Sequence, residues 1–184
     1  SVRHAREIIK DDDGVSSFFF EFTEWSDTIS KLDTSDNTKK LWFLHNSTHV
    51  VDMAFFLCGY PEEIICMQDG DLAWHPSGSS FSGTGKTQTG ALFTYLANWD
   101  APGRWGLEVL TKKRRLIFRP LEKLQCQLRG SVAIDHIEIN DRYDIDHKPG
   151  LFLQVQSFLE ENDKRFLRLS DQVEHLKLYQ MICP

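Results

Sequence analysis

Between Ala91 and Ile139 the chain carries five short β-type runs: Ala91 to Trp99, Trp105 to Thr111, Leu116 to Pro120, Leu124 to Leu128 and Val132 to Ile139. They are separated only by Asp100-Ala101-Pro102-Gly103, Lys112-Lys113-Arg114, Leu121-Glu122 and Arg129-Gly130. A parallel crossover needs a dozen or more residues, so these connections predict neighbouring antiparallel strands. Helical patterns lie towards the two ends of the chain. Strands in the middle with helices at the ends predict an α+β fold, a large, mostly antiparallel, open-faced sheet with helices packed on one face. The other face must then be polar or meet a partner.

Val2, Ala5, Ile8 and Ile9 recur at helical spacing, and Asp11-Asp12-Asp13-Gly14 ends that helix. The Phe-rich segment Val15 to Glu24 reads as a strand covered on both faces, or as a short one at the heart of the sheet. Ser26 to Lys40 is polar enough to predict a long surface loop. A helix is expected from about Asn46 to Cys58, with Asn46, Ser47 or Thr48 as N-cap and Gly59 just past its end. Glu63 to Gln68 follows as a strand, and Asp69 to Gln88, with Pro76, glycines and serines, as a second long loop. Leu151 to Glu161 and Ser170 to Ile182 are helical patterns, the second opened by Ser170 as N-cap with Asp171 in its first turn.

At 184 residues the chain makes one domain, large enough to bury roughly 70% of its extended surface without metal or disulfide staples. Lys and Arg total 21 against 27 Asp and Glu, a net charge of −6, which argues against a phosphate-neutralising nucleic-acid footprint. The longest apolar stretches fall short of the roughly 20 residues of a membrane span. The first ten residues read as an amphipathic helix rather than a leader, so a cytoplasmic setting is expected. Cys58, Cys66, Cys126 and Cys183 are widely spaced in apolar contexts and read as reduced core thiols, with neither disulfides nor zinc expected.

Several apparent motifs fail on inspection. Ser82-Gly83-Thr84-Gly85-Lys86-Thr87 ends like a phosphate-binding loop, but that motif needs Gly where Ser80 stands. Lys112-Lys113-Arg114-Arg115 reads as a solvated edge that discourages aggregation. Trp99 and Trp105 bracket a turn and are expected to stack across a hairpin. One constellation survives: His45, His49 and Asp52, at i, i+4 and i+7, share a helical face beside Asn46 and Ser47. An imidazole can take a hydroxyl proton near neutral pH while a carboxylate one turn away fixes its tautomer. A two-histidine metal site is a second use, without an obvious third ligand. A third is structural, His49 and Asp52 pairing with each other or capping backbone.

The run His45-Asn46-Ser47-Thr48-His49-Val50-Val51-Asp52-Met53-Ala54-Phe55-Phe56-Leu57-Cys58-Gly59-Tyr60-Pro61-Glu62 resembles the helix bearing the catalytic His in the glucose-fructose oxidoreductase and inositol dehydrogenase (Gfo/Idh/MocA) family. Lys148-Pro149-Gly150-Leu151-Phe152-Leu153-Gln154 resembles the entry to that family's late helix, and the strand-rich middle its open-faced sheet. The resemblance implies a C-terminal domain of the glyceraldehyde-3-phosphate dehydrogenase-like type, spanning 1–184. The family's N-terminal dinucleotide-binding domain, with its Gly-rich turn, has no counterpart in the sequence. It implies a sugar or polyol substrate, NAD or NADP in the full-length enzyme with none expected on this chain alone, and a homodimer through the sheet face. The setting it implies is sugar metabolism or polysaccharide biosynthesis.

His49 falls at the family's proton-exchanging His. His45 stands where well-known members carry Asp, which puts the usual division of labour in question, although an imidazole there still reaches a hydroxyl. Asn46 offers a donor and an acceptor to substrate, and Asp52 matches the acidic residue that follows the His. Trp25 and His75, from the two long loops, are further candidate substrate contacts. Three readings stay open: the substrate and dimerisation half of a sugar, nucleotide-sugar or polyol oxidoreductase, a stand-alone carbohydrate-binding module, and a structural dimerisation domain.

Overall fold

Phe18 and Phe20 on one short strand and Phe22 just past its end alternate and are buried almost completely, and the fold is built around them. The computed structural model describes residues 1–160 and 166–184. It runs α1 (Val2–Asp11), β1 (Ser17–Glu21), α2 (Ser26–Ser30), α3 (Asp36–Lys40), a π-helical turn (Phe43–Ser47) and α4 (Thr48–Cys58). The strands β2 (Pro61–Asp69), β3 (Ser80–Thr87), β4 (Leu92–Asn98), β5 (Gly106–Leu110), β6 (Arg114–Phe118), β7 (Gln125–Leu128) and β8 (Asp135–His136) follow. The helices α5 (Arg142–Asp146), α6 (Leu151–Leu159) and α7 (Leu169–Ile182) close the chain. The expected helix end Glu161 lies outside the described residues.

The strands form one sheet in the order β2-β3-β4-β1-β5-β6-β7-β8. Every pairing is antiparallel except β1 with β4. This is the α+β open sheet expected, with one rearrangement. β4 and β5 are not neighbours, because β1, arriving from the far end of the sequence, lies between them. Phe20 pairs with Tyr95 on one side and Leu107 on the other. Trp99 and Trp105 therefore do not stack across a hairpin. Trp99 lies flat on Trp74, ring centroids 5.7 Å apart and 5° between planes.

On the covered face α4 lays Val50, Val51, Ala54, Phe55 and Leu57 against the β1 phenylalanines. Phe55 meets Phe18, Phe20 and Phe93 edge-on at 5.1 to 5.9 Å, a favoured aromatic geometry.

Both predicted long loops contain structure. Ser26 to Lys40 folds into α2 and α3, the latter capped by Ser35, whose hydroxyl accepts from the Thr38 N–H. The Asp69 to Gln88 segment holds β3, hidden in sequence by its glycines. A Cβ at Gly83 would sit 2.3 Å from the Tyr95 ring and one at Gly85 2.7 Å from Phe93, so neighbouring aromatics occupy the space a side chain would take. Gly85 and Lys86 thus belong to a strand interior and not to a phosphate loop. Ser170 does not cap α7: Arg168 precedes the helix, and the Asp171 carboxylate accepts from its backbone N–H.

The basic cluster is no solvated edge. β6 is an interior strand, and Arg114 Nε lies 2.8 Å from Asp12, a fully buried carboxylate at the end of α1 that also accepts from Thr111. Arg115 pairs with Glu108. Burial alone would push the Asp12 carboxyl up, but hydrogen bonds from Thr111 and Arg114 and the charges of Arg114 and Lys113 hold it below the usual carboxylate range. A depressed folded-state value contributes stability above the unfolded value of about 4 and loses it as pH falls through the folded value. Asp12→Asn is expected to cost about 1–3 kcal/mol near neutral pH and to flatten the acid limb of the stability curve. Urea melts from neutral pH to below pH 4 check this, and parallel profiles for variant and parent would count against it.

Cys58, Cys66, Cys126 and Cys183 are free thiols, and no described helix is long and apolar enough to cross a membrane. The open face exposes Ile65 and Met67 on β2 and Leu92 and Leu96 on β4, each more than half accessible.

Candidate functional site

Just beyond β1, where the central strand leaves the sheet, stands Glu24, 1% exposed. A carboxylate so far out of water needs its lone pairs filled. Its Oε1 accepts from the Ser47 hydroxyl at 2.7 Å, the Asn46 side-chain amide at 3.0 Å and the Trp105 indole N–H at 3.0 Å. Its Oε2 accepts from Arg104 at 2.9 Å. Glu24 thereby ties the turn before α4 to the segment entering β5.

Asn46 and Ser47 are engaged by Glu24 and do not cap α4. Thr48 donates back to the Leu44 carbonyl. The helix instead continues from a π-helical turn that holds His45 and Asn46, so the α-helical i, i+4 alignment of His45 with His49 is broken there. Such turns recur at functional sites. His45 and His49 are both exposed.

The His49 ring lies 6.4 Å from the Trp105 ring. The Arg104 guanidinium sits 4.4 Å from the Trp105 ring centroid and 4.9 Å from that of Trp25, a cation–π sandwich. The half-exposed Trp25 is fixed by its indole N–H, which donates to the Gly103 carbonyl at 2.7 Å. The Glu24 and Arg104 charges cancel, so this surface offers flat aromatic area and imidazoles with little net field. That chemistry suits a neutral, polyhydroxylated ring better than an anion.

No protein-family model and no curated protein matches the chain, but solved structures do. Levoglucosan dehydrogenase in complex with NADH and levoglucosan superimposes with a TM-score of 0.57 at 15% identity, over 75% of this chain and 44% of that one. An NAD-binding oxidoreductase from Klebsiella pneumoniae gives 0.56 at 15% identity, over 76% and 44%. An inositol dehydrogenase homologue from Azotobacter vinelandii, complexed with NAD+, gives 0.58 at 12% identity, over 74% and 40%. The matched region is the C-terminal part of these proteins. This is the C-terminal domain fold of Gfo/Idh/MocA-type oxidoreductases. The chain spans less than half the length of the Gfo/Idh/MocA-type structures it matches.

Within this Gfo/Idh/MocA-type fold, Asn46, His49 and Trp25 gather around the Glu24–Arg104–Trp105 cluster, with His45 in the π-helical turn beside them. Asp52 turns towards α7. Its carboxylate accepts a short hydrogen bond from the Tyr179 hydroxyl and lies 3.7 Å from His175 Nδ1, which is 3.3 Å from the Tyr60 hydroxyl. Burial pushes the Asp52 carboxyl above its usual range, against the lowering effects of the Tyr179 bond and the nearby His175 and His49. Burial, with the negative charges of Asp52 and Asp171, raises Tyr60 to about 12. Asp52 thus ties α4 to α7.

His75 is buried at 3% exposure among Trp74, Phe81 and Trp99, where burial lowers its proton affinity. It is a core side chain, placed there because the predicted loop folds back onto the sheet. Among the described residues no three His, Cys, Asp or Glu side chains gather as metal ligands. Sequence reasoning passed over Glu24, Arg104 and Trp105 as members of the site. Nothing in the local sequence marked them: Glu24 stands between Thr23 and Trp25, the second of two acids that follow Phe18-Phe19-Phe20.

Proposed function

We propose that this chain is the substrate-binding and dimerisation half of an NAD(P)-dependent oxidoreductase acting on a sugar, nucleotide-sugar or polyol in the cytoplasm. The observation that carries the reading is His49 standing exposed beside the Trp25–Arg104–Trp105 surface, in a fold shared with sugar and polyol dehydrogenases. His49 exchanges the proton of the substrate hydroxyl, and His45 hydrogen-bonds a second hydroxyl. Trp25 and Trp105 supply ring surface for the sugar's C–H face. Asn46, bound to Glu24, keeps its amide oxygen for a substrate O–H.

No glycine-rich turn joins a strand to a helix among the described residues. The reading assigns NAD or NADP to an N-terminal dinucleotide-binding domain outside 1–184, with 1–184 as a single substrate domain. Isotope-edited NMR of this chain titrated with levoglucosan and with inositol tests the substrate role. Saturable shifts at His49, His45 and the Trp25 and Trp105 indoles are expected. Shifts confined to other surfaces would contradict it.

The dimerisation half of the reading rests on Ile65, Met67, Leu92 and Leu96, an apolar set too exposed for a surface meant for water. A two-fold partner would bury the same patch on both copies. Sedimentation is expected to show a dimer that Ile65→Lys with Leu96→Lys converts to monomer, both lysines pointing off the open face. A parent that is already monomeric at tens of micromolar, on the order of cellular affinities, would remove this part of the reading.

A further inference from the structure

The geometry points to Glu24 as a positioning residue for His49, acting through Arg104 and Trp105 to set both the place and the electrostatic surroundings of the imidazole. The inference deepens the proposed function and rests on it for the importance of His49, but its test reads the imidazole directly. Glu24 binds four side chains from two separate segments, Asn46 and Ser47 before α4 and Arg104 and Trp105 before β5. Asn46 and Ser47 fix the turn from which α4 projects His49. Trp105 is held by its indole N–H with its ring turned towards His49. Arg104 is held between two indoles, one of them the Trp105 ring that lies 6.4 Å from the His49 ring.

A buried carboxylate has to be paired, and Glu24 takes its partners from the turn before α4 and the segment before β5. Here one acid organises an imidazole, a guanidinium and two indoles together. It touches neither the substrate region nor solvent, so it acts on His49 only through its neighbours. The other ionisable groups near His49 are His45 before α4, Asp52 on its own helix and, past Asp52, His175 and Tyr179 of α7. None of these contacts Glu24 or Arg104.

The test compares the parent chain with Glu24→Gln and Arg104→Gln, following the His49 ring signals through a pH titration and the Trp105 indole N–H by NMR. Glu24→Gln leaves the Arg104 cation unbalanced, and the proton affinity of His49 is expected to fall roughly two- to fivefold. Arg104→Gln leaves the Glu24 anion unbalanced and is expected to raise it by a similar factor. The Trp105 indole signal moves in Glu24→Gln as its acceptor loses charge. Shifts of opposite sign in the two variants are what general loosening of the fold would not produce.

If both variants keep the parent's circular dichroism and His49 titrates unchanged, Glu24 is a structural carboxylate and the inference fails. Should Glu24→Gln not fold, Arg104→Gln and Trp105→Phe, which removes the indole N–H together with the pyrrole part of the ring, decide the matter by the same titration. An unchanged His49 in both overturns it. Loss of the oxidoreductase reading would show instead as absent turnover, with the titration shifts intact.

Discussion

On the proposed function, replacing His49 by Asn in the full-length oxidoreductase is expected to lower kcat by about 10²- to 10⁴-fold, the usual contribution of a positioned acid–base group. KM should change little, because the proton transfer develops in the transition state and the aromatic surface that holds the ring is untouched. Asn keeps a polar side chain at an exposed position of α4, so the fold should survive. Steady-state kinetics on parent and variant check this. A variant with full kcat would remove His49 from the chemistry, and the site would then be one of binding alone. Asp52→Asn should behave differently, since Asn keeps an Oδ1 acceptor for the Tyr179 hydroxyl but removes the negative charge that lies near His175 and His49.

The second large effect is on stability. Phe20 is 1% exposed at the centre of the sheet, with Phe18, Phe22, Phe55 and Tyr95 rings around it at 5.4 to 6.4 Å. Truncation to Ala removes the transfer free energy of a buried ring and leaves a cavity between strands that pair on both sides and cannot close in. A loss of about 3–5 kcal/mol is expected, and with it a fall in Tm of roughly 10 °C or more for a chain of this size. Phe19→Ala, one residue away, is the internal comparison. Its side chain points to the open face, so the loss should be less than half as large in the monomer. Thermal melts of the two variants would expose any error in the assigned strand faces.

How much of this could be read from residues alone depends on the kind of interaction. The alternation and turn spacing from Ala91 onward carried the open sheet, because local periodicity and short connections are properties of neighbouring residues. Insertion of β1 between β4 and β5 was not legible, since it is a pairing across some seventy positions. β3 was hidden for a different reason. Gly83 and Gly85 look like loop residues, and it is the rings of Tyr95 and Phe93 together with the Ile65 and Glu63 carbonyls of β2 that make glycine the residue that fits a strand there.

The same division holds at the site. His45 and His49 stood out by residue type, but the π-helical turn between them did not. Asp52 fell at the right spacing to serve His49, yet the partners that take it up come from α7, more than a hundred residues on. His75 shows the reverse case, a polar residue in a glycine-rich stretch that a folded-back loop carries into the core. Glu24 was invisible because its role is defined wholly by where Asn46, Ser47, Arg104 and Trp105 arrive.

The central claim is that this domain presents a sugar to a nicotinamide cofactor carried by another part of the same protein. It is tested most directly by purifying the natural gene product from its source and measuring NAD+ and NADP+ reduction over a panel of sugars and polyols that includes levoglucosan and inositol. The account predicts cofactor reduction with at least one member of the panel, abolished in the His49→Asn form. A natural product that reduces neither cofactor with any of them, or whose turnover is indifferent to His49, would contradict it.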